Sequence, residues 1–252
     1  MKLCRFDHKG KTGCGRILGE AVEVFHGDLL GNRAPAGITL PLAEVRLLAP
    51  LLPGKIIGIG RNYAAHAREM GNAPPDEEPL IFLKPPSAVI SPGDAILLPA
   101  ASKRVDHEAE LGVIIGRIAS HIPVEEDPLR YVLGYSCVND VTARDLQKKD
   151  VQFTRGKGFD TFCPFGPVIE TDLDPANVMV AARVNGELRQ QARTSDMIFP
   201  VRRLLRFLAD IMTLMPGDLI ATGTPSGVGP LASGDVVEVE VEGVGVLSNP
   251  VR

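Results

Sequence analysis

The chain has 252 residues, of which 44% are hydrophobic and 23% are charged, enough for one large domain with a small appendage and a sizeable core. Its net charge of −4 argues against nucleic-acid binding, which is typical of chains with a basic surplus. No stretch of about 18 uninterrupted apolar residues occurs and the N-terminus lacks an apolar signal core, so we expect no association with a membrane. The four cysteines form no CxxC pair, which favours a reduced, cytoplasmic protein.

Short strands and tight turns dominate the first fifth of the chain. The sequence holds 26 glycines and 21 prolines, a proportion typical of strands joined by turns. We therefore predict a small N-terminal β domain over residues 1–52 and a main domain over residues 53–252. A buried strand over 55–60 opens the main domain.

Three helices are predicted in the main domain. The first covers residues 63–70, with Asn62 as its N-cap and a glycine at its end. The second covers residues 141–149. The third and longest covers residues 197–214, where apolar residues recur at helical spacing.

The other predicted elements are strands. Residues 178–184 lead into the hairpin turn Asn185-Gly186, and the alternating Val and Glu of 237–241 indicate a half-buried strand. Strands outnumber helices and show no regular βαβ rhythm, so we predict a mixed α+β, β-rich fold. The remaining strands are predicted over 80–84, 95–98, 110–115 and 130–139.

Three acids are candidates for one metal site. Glu108 and Glu110 lie two residues apart at the start of an apolar strand, where their side chains point the same way and repel unless a cation lies between them. Asp140 follows another predicted strand and can face the same pocket. Three carboxylates suit a hard cation such as Mg²⁺ and leave about half of its octahedral shell open. A solvated acidic strand end explains the same spacing equally well.

His66 and Glu69 are three residues apart on the first predicted helix, so they share a face. A carboxylate beside an imidazole orients the ring and raises its basicity, which suits a general base. A surface ion pair without a catalytic role is the alternative, and the spacing alone favours it.

Three further side chains are candidates for the same pocket. Lys157 lies between two glycines, which we expect to leave its stem mobile, and its charge suits a substrate carboxylate or a developing enolate. Arg144 and Gln147 are three residues apart on the second helix and can face the pocket together, although each type is more often at the surface.

Five segments of the main domain carry a recognisable pattern, in this order: 60–70 (GRNYAAHAREM), 106–111 (DHEAEL), 139–147 (NDVTARDLQ), 156–162 (GKGFDTF) and 222–229 (TGTPSGVG). Together they resemble the fumarylacetoacetate hydrolase family over residues 55–252. One segment alone is weak evidence, but all five in the family's order are specific. Residues 1–50 resemble the small N-terminal domain of one bacterial branch of this family.

The resemblance implies a fold of strands wrapped into a β-roll, assembled as a homodimer. It implies an Mg²⁺ or Mn²⁺ ion held by Glu108, Glu110 and Asp140, with Asp106 as a further candidate contact. The catalytic and substrate-binding residues that it implies are His66 and Glu69 on a lid that orders when ligand binds, Lys157, Arg144, Gln147 and Thr224.

The resemblance also implies the reaction class. The substrates are 2-oxo or 2-hydroxydienoic acids and β-diketo dicarboxylic acids, and the metal stabilises their enolate. The N-terminal domain favours an enzyme like 2-hydroxyhepta-2,4-diene-1,7-dioate isomerase of aromatic catabolism. The same enolate serves acylpyruvate or fumarylpyruvate C–C hydrolases and oxaloacetate decarboxylases, which are the alternatives. A non-catalytic module that binds small acids is an alternative of another class.

Overall fold

The structure, a computed structural model, describes residues 1–252 and consists mostly of β-strands. The expected β-rich, mixed α+β fold is confirmed. The helices are α1 (Ala64–Glu69), α2 (Arg144–Asp150), α3 (Thr154–Lys157) and α4 (Val201–Ile211). The strands are β1 (Lys2–His8), β2 (Lys11–Leu18), β3 (Ala21–Phe25), β4 (Pro35–Pro41), β5 (Arg46–Leu48), β6 (Ile56–Gly60), β7 (Leu80–Lys84), β8 (Val89–Ile90), β9 (Val105–His107), β10 (Ala109–Ile115), β11 (Val132–Asn139), β12 (Thr142–Ala143), β13 (Cys163–Glu170), β14 (Met179–Val184), β15 (Glu187–Arg193), β16 (Leu219–Ala221), β17 (Gly229–Pro230), β18 (Val236–Val241) and β19 (Gly245–Pro250).

One sheet of twelve strands runs through the whole molecule. Its order is β4-β3-β2-β1-β13-β11-β10-β16-β6-β7, with β5 paired to β1 and β8 paired to β13. Strands β1 to β4 form the predicted N-terminal meander, and β1 also pairs with β13 of the main domain. The division after residue 52 stays a prediction, because the large sheet continues across it.

A sheet of four strands, β15-β14-β18-β19, covers one face of the large sheet. Val237, Val239 and Val241 of β18 are each only 1% exposed, while the glutamates between them are half-buried, so the predicted alternation is confirmed. Valines of β14 and β18, residues of β6 and β10, and leucines of α4 share one hydrophobic cluster. Burial of this apolar area is the main stabilising contribution to the fold.

The hairpin predicted at Asn185-Gly186 joins β14 and β15. Both residues have positive φ, 53° and 80°, as a type I′ turn requires. The turn directs β15 back along β14 and places Gln190 of β15 in the interior, only 1% exposed.

Helix α4 is shorter than predicted. It begins at Val201, because Pro200 has no N–H to donate within a helix and is favoured at a helix start. It ends at Ile211. Met197 instead pairs with Tyr63 in an isolated β-bridge. Even α4, the longest helix, lacks the length and apolar character that crossing a bilayer requires.

Three other local predictions were wrong. Helix α2 begins at Arg144, not at residue 141, because Thr142 pairs with Asp106 in a small sheet of β12, β9 and β17. Asn62 makes no capping bond to α1. No strand forms over 95–98, where Ile96 alone makes a bridge.

Candidate active site

The antiparallel pairing of β10 with β11 brings the three predicted metal-binding acids together. Ala109 pairs with Asn139 in this ladder, so Glu108 before β10 lies beside Asp140 after β11. The N–H of Glu108 donates to Asn139 Oδ1 (2.9 Å), and the N–H of Asp140 donates to Glu108 O (2.9 Å). Carboxylate oxygens of Glu108, Glu110 and Asp140 lie within 4.8 Å of one another, and all three residues are buried. We call these three residues the acidic triad.

The ammonium group of Lys157 lies between two members of the triad. Its Nζ is 2.6 Å from Glu108 Oε2 and 2.5 Å from Asp140 Oδ2. Lys157 ends helix α3 and is 3% exposed, so the expectation of a mobile stem between glycines was wrong: the helix and two ion pairs hold the side chain in place. Nζ also lies 4.9 Å from the centre of the Phe82 ring, a favourable cation–π distance.

Burial and mutual repulsion oppose simultaneous ionisation of the three acids. Burial, with the charges of Asp140 and Glu108, raises the pKa of Glu110 well above its ordinary value. Burial opposes ionisation of Glu108 too, but Lys157 and Arg144 outweigh it and hold the pKa of Glu108 below its usual range. Burial likewise opposes the charge of Lys157, yet Asp140 and Glu108 raise its pKa. A cation beside Glu110 would allow all three acids to ionise.

The triad fits a hard divalent cation. Asp140 Oδ1 is buried and accepts no well-oriented hydrogen bond, although Lys84 Nζ approaches it to 2.7 Å as an ion pair. Glu110 receives a single backbone hydrogen bond, from Gly223 (2.8 Å). Buried carboxylate oxygens with spare lone pairs, facing one cavity, are the donors that Mg²⁺ and Mn²⁺ prefer.

Asp106 lies outside the triad, so its candidacy as a further metal contact is not supported. Arg104 Nε (2.9 Å) and Arg144 Nε (3.0 Å) both bind its carboxylate. Arg144 also donates to Glu108 Oε1 (2.5 Å) and to Gln147 Oε1 (2.9 Å). The guanidinium of Arg144 therefore links Asp106 to the triad and orients Gln147, rather than standing free for a substrate.

His66 and Glu69 share a face of α1, as predicted, and connect it to the glycine-rich segment 222–229. His66 Nδ1 lies 3.3 Å from Glu69 Oε2. The carboxylate of Glu69 accepts the N–H of Gly227 at 3.0 and 3.1 Å. His66 is 6% exposed, whereas Glu69 is exposed, so a buried imidazole is paired with a carboxylate at the surface.

Thr224 lies at the centre of a buried network. Its Oγ1 donates to the carbonyl of Ala109 (2.9 Å) and accepts from Gln190 Nε2 (2.7 Å). Gln190 Oε1 in turn accepts the N–H of Ala109 (3.0 Å) and faces His107 Nδ1 (2.9 Å). Because its only proton is used, the Thr224 hydroxyl fixes the start of β10 rather than donating to a ligand.

Most of these groups line one cavity of about 350 Å³. Of the residues proposed from sequence, Glu69 and Asp106 do not line it, and Glu69 contacts His66 instead. The wall includes the acidic triad together with His66, Lys157, Arg144, Gln147 and Thr224. Its less polar part is formed by Phe82 and Phe153, whose rings meet edge to face at 5.6 Å.

Two buried residues of the site escaped sequence reasoning. Lys84 closes an apolar strand, β7, and a lysine in that place is a weak signal of a buried charge. Gln190 lies among the exposed polar residues of β15, and no local pattern separates it from them.

Comparison with known proteins agrees with the geometry. Residues 55–252 match the family model of the fumarylacetoacetate hydrolase C-terminal domain, and residues 1–50 match the Rv2993c-like N-terminal domain. The chain is 50% identical over 224 residues to Protein Rv2993c of Mycobacterium tuberculosis, covering 88% of this chain and 84% of that protein. It is 44% identical over 225 residues to the mitochondrial oxaloacetate tautomerase FAHD2B of Bos taurus, covering 84% of this chain and 71% of that protein.

Solved structures are similar over the whole chain. The 5-carboxymethyl-2-hydroxymuconate delta-isomerase of Mycobacterium smegmatis has a TM-score of 0.92 at 45% identity, covering 100% of this chain and 99% of that one. The 2-hydroxyhepta-2,4-diene-1,7-dioate isomerase of Mycobacterium marinum has a TM-score of 0.92 at 42% identity, covering 100% of this chain and 98% of that one. Maleylpyruvate hydrolase of Sphingobium sp. SYK-6 has a TM-score of 0.82 at 34% identity, covering 100% of this chain and 99% of that one. The chain belongs to the fumarylacetoacetate hydrolase family and carries an Rv2993c-like N-terminal domain.

Proposed function

We propose that this protein is a divalent-metal-dependent enzyme that isomerises 2-oxo dicarboxylic acids and their 2-hydroxydienoate forms, as a 2-hydroxyhepta-2,4-diene-1,7-dioate isomerase does. The observation that carries the proposal is the buried acidic triad, which shares one cavity with Lys157 and His66. Two similar proteins of solved structure bear isomerase names. An enolate is common to the reactions that those names describe.

Glu108, Glu110 and Asp140 would hold the Mg²⁺ or Mn²⁺ ion. When bound, the ion supplies Lewis acidity towards the oxygens of a 2-oxo acid. The site holds four buried acids, the triad and Asp106, and they face Lys84, Arg144, Lys157 and the half-exposed Arg104. A divalent ion would add two positive charges to this site, which favours an anionic ligand.

Lys157 supplies fixed positive charge beside the reacting end of the substrate. Two carboxylates hold its ammonium group within 2.6 Å, so little reorganisation is needed as negative charge develops nearby. Gly223 holds Glu110 in place through its backbone N–H.

The His66–Glu69 pair would move the proton. Glu69 contacts Nδ1 of His66, so Nε2 is the nitrogen left to exchange a proton with the carbon that gains or loses one during isomerisation. Because Glu69 also binds Gly227, the imidazole is held to the glycine-rich segment, close to the triad.

Hydrolysis of a C–C bond is the second candidate. The same imidazole can take a proton from water instead of carbon, and a similar structure bears the name maleylpyruvate hydrolase. Decarboxylation of oxaloacetate and a binding role without turnover are further alternatives. We also propose a homodimer, from the family resemblance, which sedimentation equilibrium of the 27.0 kDa chain would test.

The deciding experiment starts from protein stripped of metal with EDTA. We expect Mg²⁺ or Mn²⁺ to restore isomerisation of 2-hydroxyhepta-2,4-diene-1,7-dioate, and ketonisation of enol-oxaloacetate, followed by ultraviolet absorbance. Cleavage of fumarylpyruvate or acetylpyruvate without isomerisation would favour the hydrolase, and release of CO₂ from oxaloacetate the decarboxylase. Metal-dependent binding of oxalate without turnover of any of these acids would favour the binding module.

A further inference from the structure

Four cationic side chains line the cavity, and two of them have no acidic partner. Lys157 is paired with Glu108 and Asp140, and Arg144 with Asp106 and Glu108. Arg61 and Lys148 also line the cavity but form no ion pair. Arg61 is partly buried and Lys148 is exposed. A partly buried guanidinium with unused donors is a site for an anion.

The backbone holds Arg61 in one place. Its φ of 59° lies in the left-handed region, which non-glycine residues seldom adopt and which often marks functional positions. The next residue, Asn62, is fully buried, accepts the N–H of Phe199 (2.8 Å) and donates to the carbonyls of Phe199 (3.1 Å) and Thr222 (2.7 Å). These bonds fix the chain at the end of β6, from which the Arg61 side chain reaches the cavity.

The cavity has room beyond the reacting end of a 2-oxo acid. Its volume of about 350 Å³ is in the range of small-molecule sites. Phe82 and Phe153 supply apolar wall beside the polar triad. A chain of several carbons can therefore lie against these rings while its 2-oxo carboxylate faces the triad.

We infer that Arg61 binds the second carboxylate of a 2-oxo dicarboxylic acid, and that Lys148 adds a weaker attraction from the exposed wall. The inference rests on the proposed function and names the residue that would select dicarboxylic over monocarboxylic substrates. A guanidinium can bind a carboxylate through two parallel hydrogen bonds, whereas the ammonium of Lys148, on a flexible exposed stem, is screened by solvent.

Calorimetric titration of the Mg²⁺-loaded full chain with two probes tests the assignment. Oxalate can occupy the metal end alone, because its two carboxylates are adjacent, whereas 2-oxoglutarate carries a second carboxylate at a distance. We expect R61Q to weaken 2-oxoglutarate binding at least about tenfold and oxalate binding less than about twofold, since a charge-assisted hydrogen bond is lost only with the longer acid. R61K should lose less affinity than R61Q, because lysine keeps the positive charge but not the paired N–H donors of a guanidinium.

Arg68→Gln is the matched control. Arg68 is exposed on α1 and does not line the cavity. The substitution therefore removes the same charge as R61Q but should change neither affinity beyond about twofold. Equal losses of both ligands in R61Q, no loss of 2-oxoglutarate, or a larger selective loss in K148Q than in R61Q would overturn the inference. So would binding of oxalate without any binding of 2-oxoglutarate by the unsubstituted protein. Failure of the unsubstituted protein to bind oxalate with Mg²⁺ would instead contradict the proposed function.

Discussion

The ammonium group of Lys84 lies 2.7 Å from Oδ1 of Asp140, and neither side chain has any exposed surface. The same nitrogen donates to the carbonyls of Lys157 (2.5 Å) and Val141 (3.3 Å). Two hydrogen-bonded carbonyls and one carboxylate oxygen thus lie around the ammonium group of Lys84, which offsets the cost of burying its charge. Lys84 thereby ties a member of the acidic triad to the end of α3, and so sets the distance between Asp140 and Lys157.

Lys84→Met should destabilise the protein markedly. Asp140 keeps its ion pair with Lys157, but its buried Oδ1 loses its cationic partner and two carbonyls lose their donor, so we expect a loss of about 3 kcal/mol in the free energy of unfolding. Urea denaturation followed by circular dichroism measures it. Lys149→Met, at an exposed position of α2, is the control and should change stability by less than about 0.5 kcal/mol. Equal effects of the two substitutions would show that the buried pair contributes nothing.

Glu110→Gln should weaken metal binding strongly while the fold is retained. The amide keeps an oxygen for the N–H of Gly223 but removes one of three anionic ligands, and we expect Mn²⁺ affinity to fall at least about 100-fold. Calorimetric titration with Mn²⁺ measures the change. Glu20→Gln, at an exposed turn, controls for net charge. Unchanged affinity in E110Q would remove this residue from the metal site.

The contribution of Glu110 to the stability of the metal-free protein should fall as pH rises above 4.5. Burial and the neighbouring carboxylates raise the folded-state pKa of Glu110 above 4.5, so the folded protein holds a proton that the unfolded chain releases. The stabilisation present below pH 4.5 is therefore lost as pH rises through the folded pKa. In EDTA, the free energy of unfolding of E110Q should exceed that of the unsubstituted protein by a margin that grows with pH. A margin independent of pH would contradict a raised pKa at Glu110.

Glu69→Gln should slow turnover without weakening metal binding. Glu69 touches His66 and Gly227 but no member of the triad, so we expect kcat for ketonisation of enol-oxaloacetate to fall about 10- to 100-fold at unchanged Mn²⁺ affinity. If Glu69 acts through His66, the double variant with His66→Ala should be no slower than H66A alone. Additive losses would separate the two residues. Glu78→Gln, an exposed acid, is the control.

Local sequence pattern predicted the elements that are formed by neighbouring residues. The alternation of β18 and the Asn185-Gly186 hairpin are found as expected, because a period of two and a left-handed turn need only nearby positions. The spacing of Glu108 and Glu110, and the position of Asp140 after a strand, likewise indicated that the three acids meet.

Competition from distant partners explains the local failures. Residues 141–143 have a helical pattern, but Thr142 and Ala143 pair with Asp106 and Val105 of β9. Asn62 has the side chain of a helix cap, yet it binds the backbone of Phe199, 137 residues away. Tertiary contacts of this kind override propensities worth less than about 1 kcal/mol per residue.

The amino-acid sequence by itself determined the β-rich fold class, the family and the three acids of the candidate metal site, because each is written in short patterns. Only the tertiary structure decided how the charges are shared: Lys84 and Lys157 neutralise Asp140, Arg144 is bound between Asp106 and Glu108, and Arg61 is left without a partner. Charge pairing depends on distances of a few ångströms between residues far apart in the chain, and those distances exist only once the strands have paired.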